Sequence, residues 1–463
     1  MAEEESLFGK LPPELLNNII VRMPHTDRLQ FRLVCKRWNC LSAFGLKFLV
    51  NVCDETIQTS MNCNQRVETF YARDLRSPLP LSYRRKVIQN FNFLRRVFFG
   101  PNITASNMKK LLEQVQQADT LGFSYEQPPS FSGLQFNNLT CLQFQKIKSG
   151  KSESVAFKKL LSNAIFPVLK RFNLVQIDAT DFRVYLAIHL FVVNHATSLR
   201  NLILNMSPAN IKNATVDPRF QRLYESCDIY CDVSKRTSDV NLETLWINSC
   251  NFEGLSPWNL SCKLVTAQRN LECLLLDGIY FSQAIERTQV LQIESILVNN
   301  RESLKRLKLP LTDLDATLLS RCLKLEEFGA YVSFEQMKTF EILGMIGTFR
   351  NGDSLPTSLR MIDMHIPINI TEVQWLLRHI PLVDFVLEGC RTQFWSLEIL
   401  SELWTICISL TNFRSYVRMV SEEMQRLKTY LLETDGINGN VEFNTNSQFT
   451  LVDVLIDRAI YTG

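Results

Sequence analysis

From residue 94 onward, apolar and polar positions alternate in a pattern that recurs along most of the chain. Leu-x-x-Leu-x-Leu, with Phe, Ile or Val at some apolar places, is read at Leu94 (LRRVFF), Leu139 (LTCLQF), Leu169 (LKRFNL), Leu199 (LRNLIL), Leu242 (LETLWI), Leu271 (LECLLL) and Leu304 (LKRLKL). Weaker copies begin at Ala118, Leu325, Leu359, Leu382 and Leu410. The end of each copy has the two-residue period of a short strand with one buried face. Between copies the period lengthens to that of amphipathic helices, as in 181–194, 283–300 and 313–322. Spaced by about 29 residues on average, these copies predict a repeated strand–helix unit. Stacked, such units form an α/β solenoid with parallel strands on the concave side and helices on the convex side.

Residues 11–43, LPPELLNNIIVRMPHTDRLQFRLVCKRWNCLSA, follow a different rule. Leu15, Leu16, Ile19, Ile20 and Met23 recur at helical spacing. Pro12 and Pro13 occupy a first turn whose N–H groups lack intrahelical partners anyway, and Glu14 suits the positive end of the helix dipole. Pro24 ends this helix, Thr26 or Asp27 can cap the next, and Leu29, Leu33 and Val34 form its apolar side. A last turn carries Trp38 and Leu41. A stretch of about 33 residues cannot close a core alone, so these faces must pack on the rest of the chain or on another protein.

In order and spacing the stretch resembles the F-box motif, from Leu11, Pro12, Glu14, Leu15, Leu16, Ile19, Met23 and Pro24 through Asp27, Leu29 and the run Arg32 to Trp38. Met23 stands where a leucine is common. The resemblance implies a three-helix domain that docks on the Skp adaptor of cullin-based ubiquitin ligases, with Leu11, Pro12, Leu16, Ile19, Leu33, Val34 and Trp38 facing the adaptor. Such helix-face recognition typically centres on a buried aromatic anchor. The irregular repeats that follow resemble the leucine-rich-repeat F-box subfamily. The implied division is an F-box over 1–45, a connecting segment or degenerate first repeat over 46–90, and a curved leucine-rich-repeat solenoid with a C-terminal cap over 91–463. The implied role is a non-catalytic substrate receptor of a Skp–cullin–F-box ubiquitin ligase. Its partners would be the Skp adaptor, through it a cullin and a RING subunit, and a protein substrate of unknown identity. The alternative is a leucine-rich-repeat scaffold or inhibitor acting outside a ubiquitin ligase.

Composition narrows the remaining classes. Fifty basic against 47 acidic residues among 463 leave a net charge of +3, too weak an overall field for a nucleic-acid binder. No apolar run reaches the roughly 18 residues of a membrane span, and MAEEES has no secretory pattern, so the cytoplasm or nucleus is expected. Thirteen cysteines without paired spacing read as thiols. GxGxxG, GxxxxGK[ST] and GxSxG are all absent, leaving no phosphate loop or nucleophile elbow. His189 and His195 are six apart, which misses the i, i+4 spacing of a zinc pair, and the CxxxC of Cys227 and Cys231 lacks a second pair and reads as two thiols in a surface loop. No catalytic, cofactor or metal site is expected.

A binding surface remains, on the strand residues between the apolar ones. Early copies offer Arg96, Arg171 and Arg200, whereas later ones offer Glu243, Glu326, Glu327 and Asp384, interrupted by Lys305, Arg306 and Lys308. The expected concave face is therefore basic toward the F-box and mainly acidic toward the C-terminus, with Arg96, Arg171 and Arg200 as candidates for clasping an acidic or phosphorylated target. Trp246 and Phe98 sit at outward positions, where an aromatic can anchor a partner unless a neighbouring segment covers it. Cys250 and Cys390 fall where such repeats bury a small polar residue or cysteine. The polar stretch 205–241 is expected as a loop interrupting the array. INGNVEFNTN at 437–446 is expected as a last strand or cap, with LVDVLIDRAI at 451–460 as its helix.

Overall fold

The computed structural model describes residues 48–53, 67–76, 94–124, 133–145, 165–177, 182–206, 228–249, 258–277, 287–310, 317–331, 358–365, 384–387, 412–418, 437–444 and 451–458, with some isolated positions. The chain divides into two units, Met1–Ile188 and His189–Gly463.

In the first unit, strands β1 (Phe48–Cys53), β2 (Val67–Leu75), β3 (Arg96–Ile103), β4 (Thr120–Ser124), β5 (Cys141–Gln145) and β6 (Arg171–Ile177) lie side by side in chain order. Every neighbouring pair is parallel. Each motif copy starts its strand two residues after its first apolar position, as Leu94 does for β3 and Leu139 for β5. Alternation explains why: Val97 and Phe99 are fully buried, whereas Arg96 between Leu94 and Val97 is exposed and Phe98 is half-buried. The segment 46–90 contains β1 and β2, which extend the parallel pairing back from β3.

Parallel, in-register pairing brings the same motif position of successive repeats together. In this unit that position is repeatedly phenylalanine. Phe99, Phe123 and Phe144 stand on adjacent strands with ring centroids 5.1 and 5.3 Å apart and planes 9° and 19° from parallel. Phe157 meets Phe144 edge-on at 5.3 Å. Helix α1 (Ala105–Gln114) buries Met108, Leu111 and Leu112. Its Thr104 cap accepts from the Asn107 N–H at 3.3 Å, and the Asn107 amide donates to the Leu75 carbonyl at 3.0 Å.

The second unit repeats the design with different side chains. Strands β7 (Asn201–Met206), β8 (Thr244–Ser249), β9 (Cys273–Asp277), β10 (Arg306–Pro310), β11 (Glu327–Tyr331), β12 (Met361–His365), β13 (Asp384–Leu387) and β14 (Asn412–Arg418) pair parallel in order. Its core row is aliphatic, Leu202, Leu245, Leu274 and Leu307 standing in register. The helices are α2 (Phe182–Asn194), across which the division falls, α3 (Asp228–Arg236), α4 (Trp258–Ala267), α5 (Arg287–Asn300) and the single turn α6 (Thr317–Ser320).

Buried amides knit these repeats together. Asn300 Oδ1 accepts from the Leu271 N–H at 2.9 Å, while its Nδ2 donates to the Ile296 and Gln268 carbonyls at 2.8 and 3.1 Å. Gln268 does the same one repeat earlier, accepting from the Leu242 N–H and donating to the Leu264 carbonyl, both at 2.8 Å. Each amide satisfies a helix-end carbonyl and a backbone N–H of the preceding repeat at once.

Two expectations are corrected. The stretch 205–241 does not read through as a loop: α3 and a 3₁₀ turn, Thr237–Asp239, fill its second half, burying Val233 and Thr237. The helical signal is short but present, since Lys235 and Arg236 suit the negative end of the helix. At the far end, 451–460 does not form a helix. Instead β16 (Leu451–Arg458) runs antiparallel between β14 and β15 (Ile437–Asn444). Val452, Val454 and Ile456 place β-branched residues at every second position, and this period outweighs the helical one. Cys250 and Cys390 lie outside the described residues.

Candidate functional site

The repeat strands whose side chains are described give one face to the core, so their other, open face is where recognition chemistry must be sought. Register arranges that face in rows across the strands. In the first unit one row runs Thr69, Arg96, Thr120, Cys141, Arg171, and the next runs Tyr71, Phe98, Gly122, Gln143, Asn173. Arg96 and Arg171 therefore share a row three strands apart. Arg95 and Lys170 precede them at the feet of the same strands, and all four side chains are exposed. Among the described residues none of the four has an ion-pair or hydrogen-bond partner. Between these two basic poles stands Asp119, half-buried, accepting from the Thr120 hydroxyl at 2.9 Å. Burial pushes the Cys141 thiol above its ordinary range, with neighbouring Arg171 acting in the opposite direction.

Phe98 lies across the next strand. A Cβ on Gly122 would overlap Cδ1 of Phe98 and come within 2.8 Å of Cε1, so only glycine lets this ring lie there. Tyr71 stands on the other side, its ring centroid 6.5 Å away. Sequence reading passed over Gly122, although a lone glycine within a strand is itself a sign of close approach.

The second unit's open face carries Trp246 between Ile203 and Leu275 in one row, all half-buried. The Trp246 indole nitrogen is shielded from solvent and has no hydrogen-bond partner among the described residues. Three cations of this unit are engaged. Arg200 donates to the carbonyls of Leu199 at 2.9 Å, Thr197 at 3.3 Å and Asn241 at 3.4 Å, and lies 4.0 Å from Glu243. Lys305 pairs with Glu272 at 3.0 Å, and Arg306 with Glu327 at 3.1 Å. Of the three arginines singled out from sequence, two share a row in the first unit, and the third belongs to the second unit and bonds to its own backbone.

Neither histidine of interest lies on an open face. His189 and His195 are both buried, and burial lowers both pKa values, that of His189 to about 3. The His195 Nδ1 bonds to the Phe191 carbonyl at 2.8 Å, an interaction that partly opposes the shift. Cys231 is exposed on α3, a helix where a loop was expected. Among the described residues no group of three or more His, Cys, Asp or Glu side chains gathers where a metal ion could be held, and no helix is long and apolar enough to cross a membrane.

Leu11, Pro12, Leu16, Ile19, Leu33, Val34 and Trp38 lie outside the described residues. Comparison with family models supplies what the geometry does not: residues 8–43 match the F-box domain. The chain carries an F-box. All seven residues just named fall within the matched span. An F-box implies binding to the Skp adaptor, and F-box proteins in general are non-catalytic adaptors. No curated protein matches the chain. The repeat character of the remainder therefore rests on the parallel strands described above.

Proposed function

We propose that this F-box protein is a substrate receptor of a Skp–cullin–F-box ubiquitin ligase, working in the cytoplasm or nucleus. In this reading residues 1–45 hold the adaptor through Leu11, Pro12, Leu16, Ile19, Leu33, Val34 and Trp38, segment 46–90 joins them to the repeats, and leucine-rich repeats over 91–463 select the target. The observation that carries the reading is an F-box directly ahead of long runs of parallel strands whose open faces bear half-exposed aromatic and charged side chains. Such a protein makes and breaks no bonds. It holds a target close to the conjugating enzyme and so raises the effective concentration of target lysines.

Co-purification of the Skp adaptor and cullin with the intact chain, against a Leu33→Ala, Val34→Ala, Trp38→Ala variant, tests the first half. Recovery by the intact chain and loss in the variant are expected, since a buried Trp anchor is worth about 2 kcal/mol or more. An intact chain that recovers no adaptor would leave the scaffold reading in its place. Target turnover that persists when the cullin is inhibited would do the same.

A further inference from the structure

We infer that Ser238 is a phosphorylation site for a protein kinase with an acidic substrate cleft, and that the phosphate unlatches α3 from its neighbours. The inference concerns the irregular repeat between β7 and β8 and does not depend on the ligase reading.

The sequence around Ser238 reads SKRTSD, with Lys235 and Arg236 three and two positions before it. Of the adjacent lysine and arginine pairs along the chain, only this one stands at that spacing ahead of a serine or threonine. A kinase cleft lined with carboxylates reads such a pair by its charge.

Exposure then selects among the hydroxyls. Thr237 is buried and donates to the Val233 carbonyl at 2.7 Å, and Ser234 is half-buried and accepts from Lys263 Nζ at 2.7 Å. Ser238 is exposed on the 3₁₀ turn, with Lys235 and Asp239 exposed beside it. The backbone bond across this turn, from the Val240 N–H to the Thr237 carbonyl, is long at 3.4 Å, so the segment opens into a kinase cleft at little cost.

The reaction is phosphoryl transfer from ATP. The Ser238 Oγ attacks the γ-phosphorus, the bond from phosphorus to the β–γ bridging oxygen breaks, ADP leaves, and the hydroxyl proton passes to the aspartate of the kinase.

The consequence falls on α3. Unmodified, the Ser238 hydroxyl donates to the Lys235 carbonyl at 3.0 Å, satisfying one carbonyl at the end of the helix. A phosphate on that oxygen replaces the donated proton, and its charge of about −1.5 to −2 stands beside the negative end of the helix. It also competes for Arg236, two residues away, which donates to Asp232 at 3.3 Å and to the Val193 carbonyl on α2 at 3.2 Å. Bonds from arginine to phosphate are about twice as strong as those to a neutral carbonyl, so the tie to α2 yields first.

The test uses the full chain, Mg-ATP and a purified kinase that requires basic residues two and three positions before its serine. Mass spectrometry is expected to find phosphate on Ser238, absent in Ser238→Ala and about tenfold slower to form in Lys235→Gln. Amide exchange over 228–240 should rise about tenfold on phosphorylation, and by a smaller factor in Ser238→Glu. A chain left unmodified under conditions that fully modify a synthetic peptide of residues 232–242 would overturn the site. Modification of Lys235→Gln at an unaltered rate would overturn the charge reading. Phosphate on Ser238 with exchange unchanged, while Arg236→Gln raises it, would overturn the unlatching.

Discussion

The two units treat charge on their open faces in opposite ways. In the second, cations and anions fall on adjacent strands at matching positions, so Arg306 meets Glu327 and Lys305 meets Glu272. In the first, Arg96 and Arg171 are separated along their row by Thr120 and Cys141, and neither finds an anion among the described residues. Charge counts along the chain do not reveal this, because what matters in a parallel sheet is the neighbour one repeat away. Among the described residues, a face expected to be basic then acidic carries unpaired arginines in one unit and ion-paired cations in the other.

The buried faces differ in parallel, and there the largest effects are expected. The first unit's core is a phenylalanine stack, so Phe144→Ala should cost about 3 to 5 kcal/mol, because the ring contacts Phe123, Phe157 and Phe172 and its neighbours sit on fixed strands. Denaturant unfolding followed by amide exchange should locate the loss in the first unit. A loss below about 1 kcal/mol would mean the stack is not the unit's main support.

The second unit, by contrast, depends on buried polar groups that must stay neutral. His189 titrates near 6.5 when unfolded and at about 3 when folded. The unfolded chain therefore binds the extra proton first. Its contribution is fully present above pH 6.5 and falls by roughly 1.4 kcal/mol per pH unit as pH drops toward 3. Thermal melts between pH 7 and 4.5 should show this slope, and His189→Leu should flatten it. A slope unchanged in the variant would place the acid sensitivity elsewhere. Asn300→Ala comes next, at about 1 to 3 kcal/mol, because it strands the buried Leu271 N–H. Asn300→Asp should not rescue it, since a carboxylate cannot donate to the Ile296 and Gln268 carbonyls.

What the sequence disclosed follows the same division between local and neighbouring information. Strand positions were legible because alternation is local, and strands begin two residues after the leading position at Leu94, Ala118 and Leu410 alike. Helix α3 was obscured by its polar surroundings, and β16 by a run, LVDVLIDR, that satisfies both periods until its β-branched positions are weighed. At the candidate site, Arg96 and Arg171 were visible as cations but not as occupants of one row, because register is set by strand pairing. Arg200 looked identical to them in sequence, and only its bonds to Leu199, Thr197 and Asn241 set it apart. Gly122 was invisible because its meaning depends on a ring that sits on the neighbouring strand.

The smallest expected effect probes the charge contrast most directly. Glu272 and Lys305 are each about half exposed, so water and salt weaken their attraction, and a double-mutant cycle to alanine should give a coupling of only about 0.2 to 1 kcal/mol at low salt. Asp119 and Arg95, whose strands are neighbours in the same way but which form no ion pair, should give a coupling near zero. The difference between these two cycles is more telling than either value. A coupling of equal size in both units would mean that Asp119 already occupies Arg95 in solution, and the first unit's open face would be no freer than the second's. A coupling confined to Glu272 and Lys305 that vanishes at high salt would show that one unit consumes its surface charge internally while the other keeps it for a partner.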